Sequence, residues 1–249
     1  MMTYAALYVV LLAATQASLA VGVQDDFNDG ALDAAWSISL EDASGWSHAE
    51  AGTALVVTDI AATVVNHGSD GTWGRILLSR DFSSLADFEA KVKFAWESHD
   101  SLNAMQRLIV TLQDADDNPV ARFGYHDAWV EYAGRAYAEV YGESGEIWRL
   151  ESIRGSLPMA GSASIGSTRS GDSITVLWDG LPVVSGTNGL EIASVTVAFD
   201  YYAYNNEQVG TSFFGTESLD LVEVIPEPAT MSLLALGLGA LAIRRRKRR

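Results

Sequence analysis

The sequence predicts an all-β body, a jelly-roll β-sandwich of two antiparallel sheets, with an N-terminal signal peptide before it and a C-terminal transmembrane helix after it. Three observations lead there. Short runs that alternate apolar and polar side chains recur along the body, separated by turns rich in Gly, Asp and Asn. No amphipathic stretch of three helical turns interrupts them, and no repeat of fixed period appears. Apolar segments at both chain ends read as export and anchoring signals. The expected divisions are a signal peptide over 1–20, one sandwich domain over 21–225 and a tail over 226–249; a body of about 205 residues can bury a substantial core in one all-β domain.

Residues 5–12 form a short apolar core, followed by small residues up to Ser18-Leu19-Ala20, a site that signal peptidase cuts after Ala20. The preceding Met1-Met2-Thr3-Tyr4 carries no Lys or Arg, a departure from the usual basic start. Past the cut, Asp25, Asp26, Asn28, Asp29 and Gly30 open the body, and 54–57 reads as a first strand. Phe88, Ala90, Val92, Phe94 and Trp96 alternate with Glu89, Lys91, Lys93 and Glu97, the pattern of a half-buried strand. A hairpin follows over 107–113 and 120–125, then short strands over 136–141 and 146–150. Between 173–178 and 181–185 stands Asp179-Gly180, a pair that accepts the φ > 0 geometry of a tight primed turn. Pro182 lacks an N–H and places its strand at a sheet edge. Strands over 194–204 and 219–224 close the body.

The tail has three parts. Pro226 and Pro228 fix φ and remove two backbone donors, so strand structure ends there. Residues 229–243 carry no charge; as a helix they span about 22 Å, short of a ~30 Å hydrocarbon core. Arg244, Arg245, Arg246, Lys247, Arg248 and Arg249 then form a stop-transfer cluster that stays on the cytoplasmic side, leaving the body outside. Pro226-Glu227-Pro228, an apolar segment and a terminal basic cluster, in that order, resemble the PEP-CTERM sorting signal of Gram-negative bacteria. The resemblance implies recognition by an exosortase, cleavage near the Pro-Glu-Pro, a transient stay in the inner membrane, and export to the cell surface or extracellular matrix.

A second resemblance covers the body. Asp25-Asp26-Phe27-Asn28-Asp29-Gly30 with Trp36, Trp46 and Leu55-Val56-Val57, the Asp179-Gly180 hairpin, and the closing 218–224 are similar to the first, late and last strands of concanavalin A-like lectin/glucanase and laminin G-like domains. The glucanases of that superfamily place paired carboxylates on one strand as Glu-x-Asp-x-x-Glu, a spacing that puts alternate side chains on one face. The sequence contains no such motif: Glu139/Glu143/Glu146 and Glu217/Asp220 come nearest, without the spacing. The expectation is therefore no catalytic residue and a non-catalytic, carbohydrate-interacting sandwich, the alternative being a divergent jelly-roll glycan hydrolase or lyase.

Aromatic residues beside amides supply the ligand argument, since sugars stack on flat apolar faces and hydrogen-bond to polar neighbours. Trp129, Tyr202, Tyr204 and Asn205 are the candidate ligand-binding residues, with Tyr125, His126 and Tyr132 near Trp129; Trp96, Trp178 and Phe199 read as core. No cofactor is required. Structural calcium is the one candidate, at Asp25, Asp26 and Asp29 with Asp220 brought in from the last strand; Asp114, Asp116 and Asn118 match the start of a calcium loop but are followed by Pro119, and read as a hairpin turn.

Composition narrows the partners further. The chain has a net charge of −16, and six of its sixteen basic residues lie in the tail, so the rest sets ten Lys and Arg against thirty-two Asp and Glu, a net of −22. Such a body repels nucleic acid and anionic lipid, suits a soluble exported protein and attracts divalent cations; extracellular polysaccharide is the partner expected from the carbohydrate-interacting reading. Zero cysteines exclude thiol catalysis, Cys–zinc sites and disulfides. Replacing Glu227 or the 244–249 basic cluster is expected to leave unprocessed protein in the inner membrane, as followed by membrane fractionation and immunoblotting; unchanged surface release would refute the sorting assignment.

Overall fold

Side chains alternate sides along a strand, and β7 (Phe88–Glu97) obeys this without exception: Phe88, Ala90, Val92, Phe94 and Trp96 are buried, and the residues between them are not. The computed structural model describes residues 22–41, 47–58, 65–66, 72–97, 104–128, 134–151, 157–158, 160–203 and 216–226. Fifteen other strands accompany β7 there: β1 (Val23–Asp25), β2 (Ser37–Glu41), β3 (Ser47–Ala51), β4 (Ala54–Thr58), β5 (Val65–Asn66), β6 (Thr72–Leu85), β8 (Ala104–Gln113), β9 (Pro119–Ala128), β10 (Arg135–Tyr141), β11 (Ile147–Glu151), β12 (Ala160–Ser170), β13 (Ser173–Trp178), β14 (Leu181–Thr187), β15 (Ile192–Ala203) and β16 (Thr216–Pro226).

All pairings are antiparallel and fall into two sheets. The first runs β14-β13-β12-β7-β16-β4-β3, with β1 also on β16; the second runs β11-β10-β9-β8-β15-β6-β2, with β5 on β6. The expected two-sheet jelly-roll sandwich is what forms. Val92, Phe94, Ile165, Val176 and Val222 from the first sheet meet Leu78, Val110, Phe123, Val140 and Phe199 from the second in one apolar layer. With no disulfide available, aromatic packing joins the layers: Trp96 of β7 stacks on Tyr125 of β9 at 4.5 Å between centroids, while within the first sheet Trp178 of β13 meets Phe94 of β7 edge-on at 6.4 Å. Tyr125 is thus a fully buried core residue rather than part of a binding cluster.

The Asp179-Gly180 turn adopts the predicted primed geometry, with φ of 48° and 79°. It is also pinned from outside, since Asp179 donates its N–H to the Ser164 carbonyl and accepts from the Ser164 N–H. Strand β14 lies at the sheet edge, where Pro182 costs no ladder bond. Asp114 turns the β8–β9 hairpin by accepting from the Asp116 and Asn118 N–H groups at 2.9 and 2.8 Å. Burial pushes its carboxyl up, but these bonds outweigh that and hold it below the usual carboxylate range.

The two ends of the body lie together. β1 pairs with β16, Val23 opposite Val224 and Asp25 opposite Val222, while the other edge of β16 runs along β7 until Pro226 meets Phe88. The last strand is therefore internal to its sheet. Phe94→Ala is expected to cost about 3–5 kcal/mol in urea unfolding, through lost burial and a cavity beside Trp96 and Trp178. Exposed Lys93→Ala on the same strand should stay within about 0.5 kcal/mol. Equal effects would contradict the facing of β7.

Candidate functional site

Core residues of the second sheet take one parity, so the opposite parity supplies its outer face: Arg75 and Leu77 on β6, Asp200, Ala198 and Thr196 on β15, Arg107, Ile109 and Thr111 on β8, Arg122 on β9, Tyr137 and Glu139 on β10, Arg149 on β11. The register lines these up in rows. Arg75, Asp200 and Arg107 stand opposite one another across β6-β15-β8. Thr196, Thr111, Arg122, Glu139 and Arg149 form a second row across β15-β8-β9-β10-β11. Between the rows lies a shallow groove of about 290 Å³, floored by Leu77, Ile109 and Ala198 and bounded by Arg75, Arg107 and Arg122.

Each carboxylate in these rows is held by two arginines. Asp200 accepts from Arg75 Nε at 2.5 Å and Nη2 at 3.3 Å, and from Arg107 Nη2 at 3.1 Å. The Arg75 guanidinium is held above its ordinary pKa chiefly by that bond, against the opposing effect of burial. Glu139 has a side chain only 1% exposed; Arg149 Nε donates to it at 2.5 Å, Arg122 Nη1 stands at 3.9 Å, and the Tyr141 hydroxyl donates to its other oxygen. Burial raises the Glu139 carboxyl, yet the hydrogen bonds from Tyr137, Tyr141 and Arg149 win and keep it below the usual range. The same burial and the neighbouring carboxylate push the Tyr137 phenol from 10.0 up to about 12. A carboxylate fixed in this way stays ionised and accepts bonds; it does not cycle a proton near neutral pH.

The two held carboxylates are also far apart. Asp200 and Glu139 sit three strands apart laterally and four residues apart in register, which puts their Cα atoms about 20 Å from one another. Glu41, on the edge strand β2, is nearer to Asp200, but Arg75 lies between them, 3.7 Å from the Glu41 carboxylate.

The residues singled out from sequence fall mostly elsewhere. Tyr202 stands in β15 opposite Trp73 and Met105, two positions beyond Asp200. Trp129, Tyr204 and Asn205 lie outside the described residues, as do Glu227, Pro228, the basic cluster, the signal peptide and the transmembrane segment; among the described residues no helix is long and apolar enough to cross a membrane. The calcium candidates do not converge. Asp25 accepts from the Phe27 N–H and from Trp36 Nε1 at 2.7 Å, Asp26 from the Asn28 amide, and Asp29 from the Ala31 N–H. Asp220 accepts from the Ser218 hydroxyl, and among the described residues no group of three His, Asp or Glu is placed to hold a metal ion. These donors do not fit a calcium ion. The arginine rows went unnoticed in the sequence because their members come from six strands; the available signal was arginine at outward parity in strand after strand.

Residues 224–249 match the PEP-CTERM protein-sorting motif, which begins inside β16 with no linker between body and signal. A motif of this kind implies export, exosortase processing and a membrane-anchored intermediate. No curated protein sequence matches the chain. Among solved structures, the body is similar to a β-glucanase from Bacillus licheniformis at 8% identity and TM-score 0.52, with 84% of this chain and 100% of that one covered. SCLam, a non-specific endo-β-1,3(4)-glucanase from family GH16, matches at 14% identity and TM-score 0.53, over 83% of this chain and 91% of that one. A GlcNAcα1-4Gal-releasing endo-β-galactosidase from Clostridium perfringens matches at 10% identity and TM-score 0.52; the chain is covered over 81% and spans 61% of that protein. These likenesses show the fold alone, a jelly-roll sandwich of two antiparallel sheets.

Linkage fixes the pH behaviour of the arginine rows. With its folded pKa lowered, Glu139 adds stability above its unfolded value near pH 4.3 and loses it as pH falls through the folded value. Tyr137, raised to about 12, adds stability below pH 10.0 and loses it as pH climbs between the two values. Glu139→Gln should cost about 3 kcal/mol at pH 7 in chemical unfolding, because it strips a buried charge from its partners, and the gap from the unmodified protein should narrow below pH 4. A gap independent of pH would contradict the assignment.

Proposed function

We propose that the chain is an exported, exosortase-sorted protein of the cell surface or extracellular matrix of a Gram-negative bacterium, whose sandwich binds polysaccharide on the second sheet's outer face without cleaving it. The expected route is Sec-type export with signal-peptidase cleavage after Ala20, a temporary stay in the inner membrane through 229–243, and release by an exosortase. The observation that carries the binding reading is the groove itself. An apolar floor of Leu77, Ile109 and Ala198 suits the flat face of a sugar ring, and Thr111, Thr196, Gln113 and Tyr137 ring it with hydroxyl and amide groups.

The competing reading, a divergent glycan hydrolase or lyase, draws on the structural neighbours, whose names describe glycan-cleaving enzymes. Glycoside hydrolysis needs two carboxyl groups about 5–10 Å apart, one of them able to give up a proton. Asp200 and Glu139 stand roughly 20 Å apart by strand geometry, each clamped by arginine, which supports the non-catalytic reading. Ala198→Trp fills the groove floor on a half-buried outward position and is expected to abolish retention on polysaccharide columns while leaving the unfolding midpoint nearly unchanged. Retention unaffected by that substitution would remove the groove from the account, and release of reducing ends from any bound polysaccharide would replace binding with hydrolysis.

A further inference from the structure

Resting on the reading of the tail as an exosortase substrate, we infer that the bond cut during sorting lies C-terminal to Pro226, and that the folded body is cut with β16 still paired. The overlap between the sorting motif and the last ladder carries the inference. The motif match begins at Val224, whereas β16 runs on to Pro226. The first three residues of the signal are therefore also strand.

Each of the three is held in the sheet. Val224 is flanked on both sides, by Val23 of β1 and by Ala90 of β7, and its side chain is fully buried. Ile225 and Pro226 stand opposite Glu89 and Phe88 of β7 and are half-buried. On the other edge Gly22 comes so close to Val224 and Ile225 that a Cβ there would run into the Val224 carbonyl. Strand β1 is itself fixed, because Asp25 accepts from the Phe27 N–H at 2.9 Å and from Trp36 Nε1 at 2.7 Å, and Phe27 is fully buried.

A protease that takes its substrate as an extended strand reads the backbone N–H and C=O groups on either side of the bond it cuts. Groups already paired in a sheet are not offered to it. With a strand on both sides, the backbone around Val224 offers none, and a cut upstream of Val224 would also strip the cover from Val23 and Ala90, which are 1% and 2% exposed. Pro228 has no N–H with which to prolong a ladder, so the hold of the sheet fades within the Pro-Glu-Pro itself. The sheet thus sets an upstream limit on processing, and the released protein keeps β16 whole. The step is one acyl transfer. A peptide C–N bond breaks, the carbonyl carbon bonds to the oxygen of water or to the nitrogen of an acceptor amine, and the proton that this nucleophile loses goes to the amine of the departing tail.

The test expresses the full chain in a Gram-negative host that carries an exosortase, beside the same host without one, and reads the C-terminus of the released protein by mass spectrometry. The expected last residue is Pro226 or one further along, as a free carboxylate or as an amide of the acceptor. A last residue at Ile225 or earlier would overturn the inference and leave the sorting reading standing. A chain that still ends at Arg249 in both hosts would overturn the sorting reading, and the inference with it.

Val23→Ala loosens one edge of Val224 without touching the motif, and its unfolding midpoint checks that it folds. Precursor purified in detergent from the host without exosortase, then mixed with membranes that carry the enzyme, should be cut at the same bond and at an unchanged rate with either residue at 23. Faster cutting of the variant would mean that β16 has to open first, and would overturn the claim that the paired strand is the substrate. Gln24→Gly, exposed and opposite Glu223, is the milder substitution should Val23→Ala fail to fold.

Discussion

Strand β16 is the constraint on which the sandwich depends. It is the last of the described strands, yet it lies inside its sheet, with β7 on one edge and β4 and β1 on the other. Leu219, Val222 and Val224 are fully buried, and each contributes about 1.5–3 kcal/mol of burial, a sum comparable with the whole stability of an ordinary domain. The first sheet can close only once the chain is complete to its sorting motif. Because Pro226 still pairs with Phe88 and the sorting motif begins at residue 224, the final ladder of the folded body overlaps the start of the sorting motif.

With the interior spent on apolar side chains and no disulfide available, polar chemistry is pushed to the outer faces. One buried cation shows the alternative: Arg169, 4% exposed, donates to the carbonyls of Gly171, Gly189 and Leu190 and ties the β12–β13 turn to the β14–β15 loop. On the second sheet's outer face arginines instead alternate with carboxylates, Glu41-Arg75-Asp200-Arg107 in one row and Arg122-Glu139-Arg149 in the other. That alternation ties neighbouring strands together and leaves a groove with an apolar floor and a polar rim between the rows.

Much of the fold was legible. The alternation of β7, the Asp179-Gly180 turn and the edge position forced by Pro182 come from local chemistry that tertiary context had no reason to override. Strand β6 carries Gly74, Ile76 and Leu78 at alternate buried positions, but outward Arg75 and Asp81 and the charged Arg80 at the inward parity mask the pattern. Strand β12 was not readable. Its Ala-Gly-Ser-Ala-Ser-Ile-Gly-Ser composition has weak strand propensity, and it holds because β7 and β13 pair it on both sides. There Gly166 is needed for space, since a Cβ would stand 2.5 Å from the Ala90 carbonyl oxygen. The arginine-rich outer face escaped for a different reason: residues from 75 to 200 meet only through register, and no local motif encodes which strands become neighbours. The sorting signal was the opposite case, contiguous and therefore plain.

The most direct measurement is an NMR titration of the isotopically labelled protein with an oligosaccharide cut from a polysaccharide it retains, following both partners in one sample. Binding in the groove predicts shifts confined to Ile109, Thr111, Gln113, Tyr137, Thr196 and Ala198, with the sugar's anomeric signals unchanged over days. Shifts on the first sheet instead, or the growth of new reducing-end signals, would contradict it.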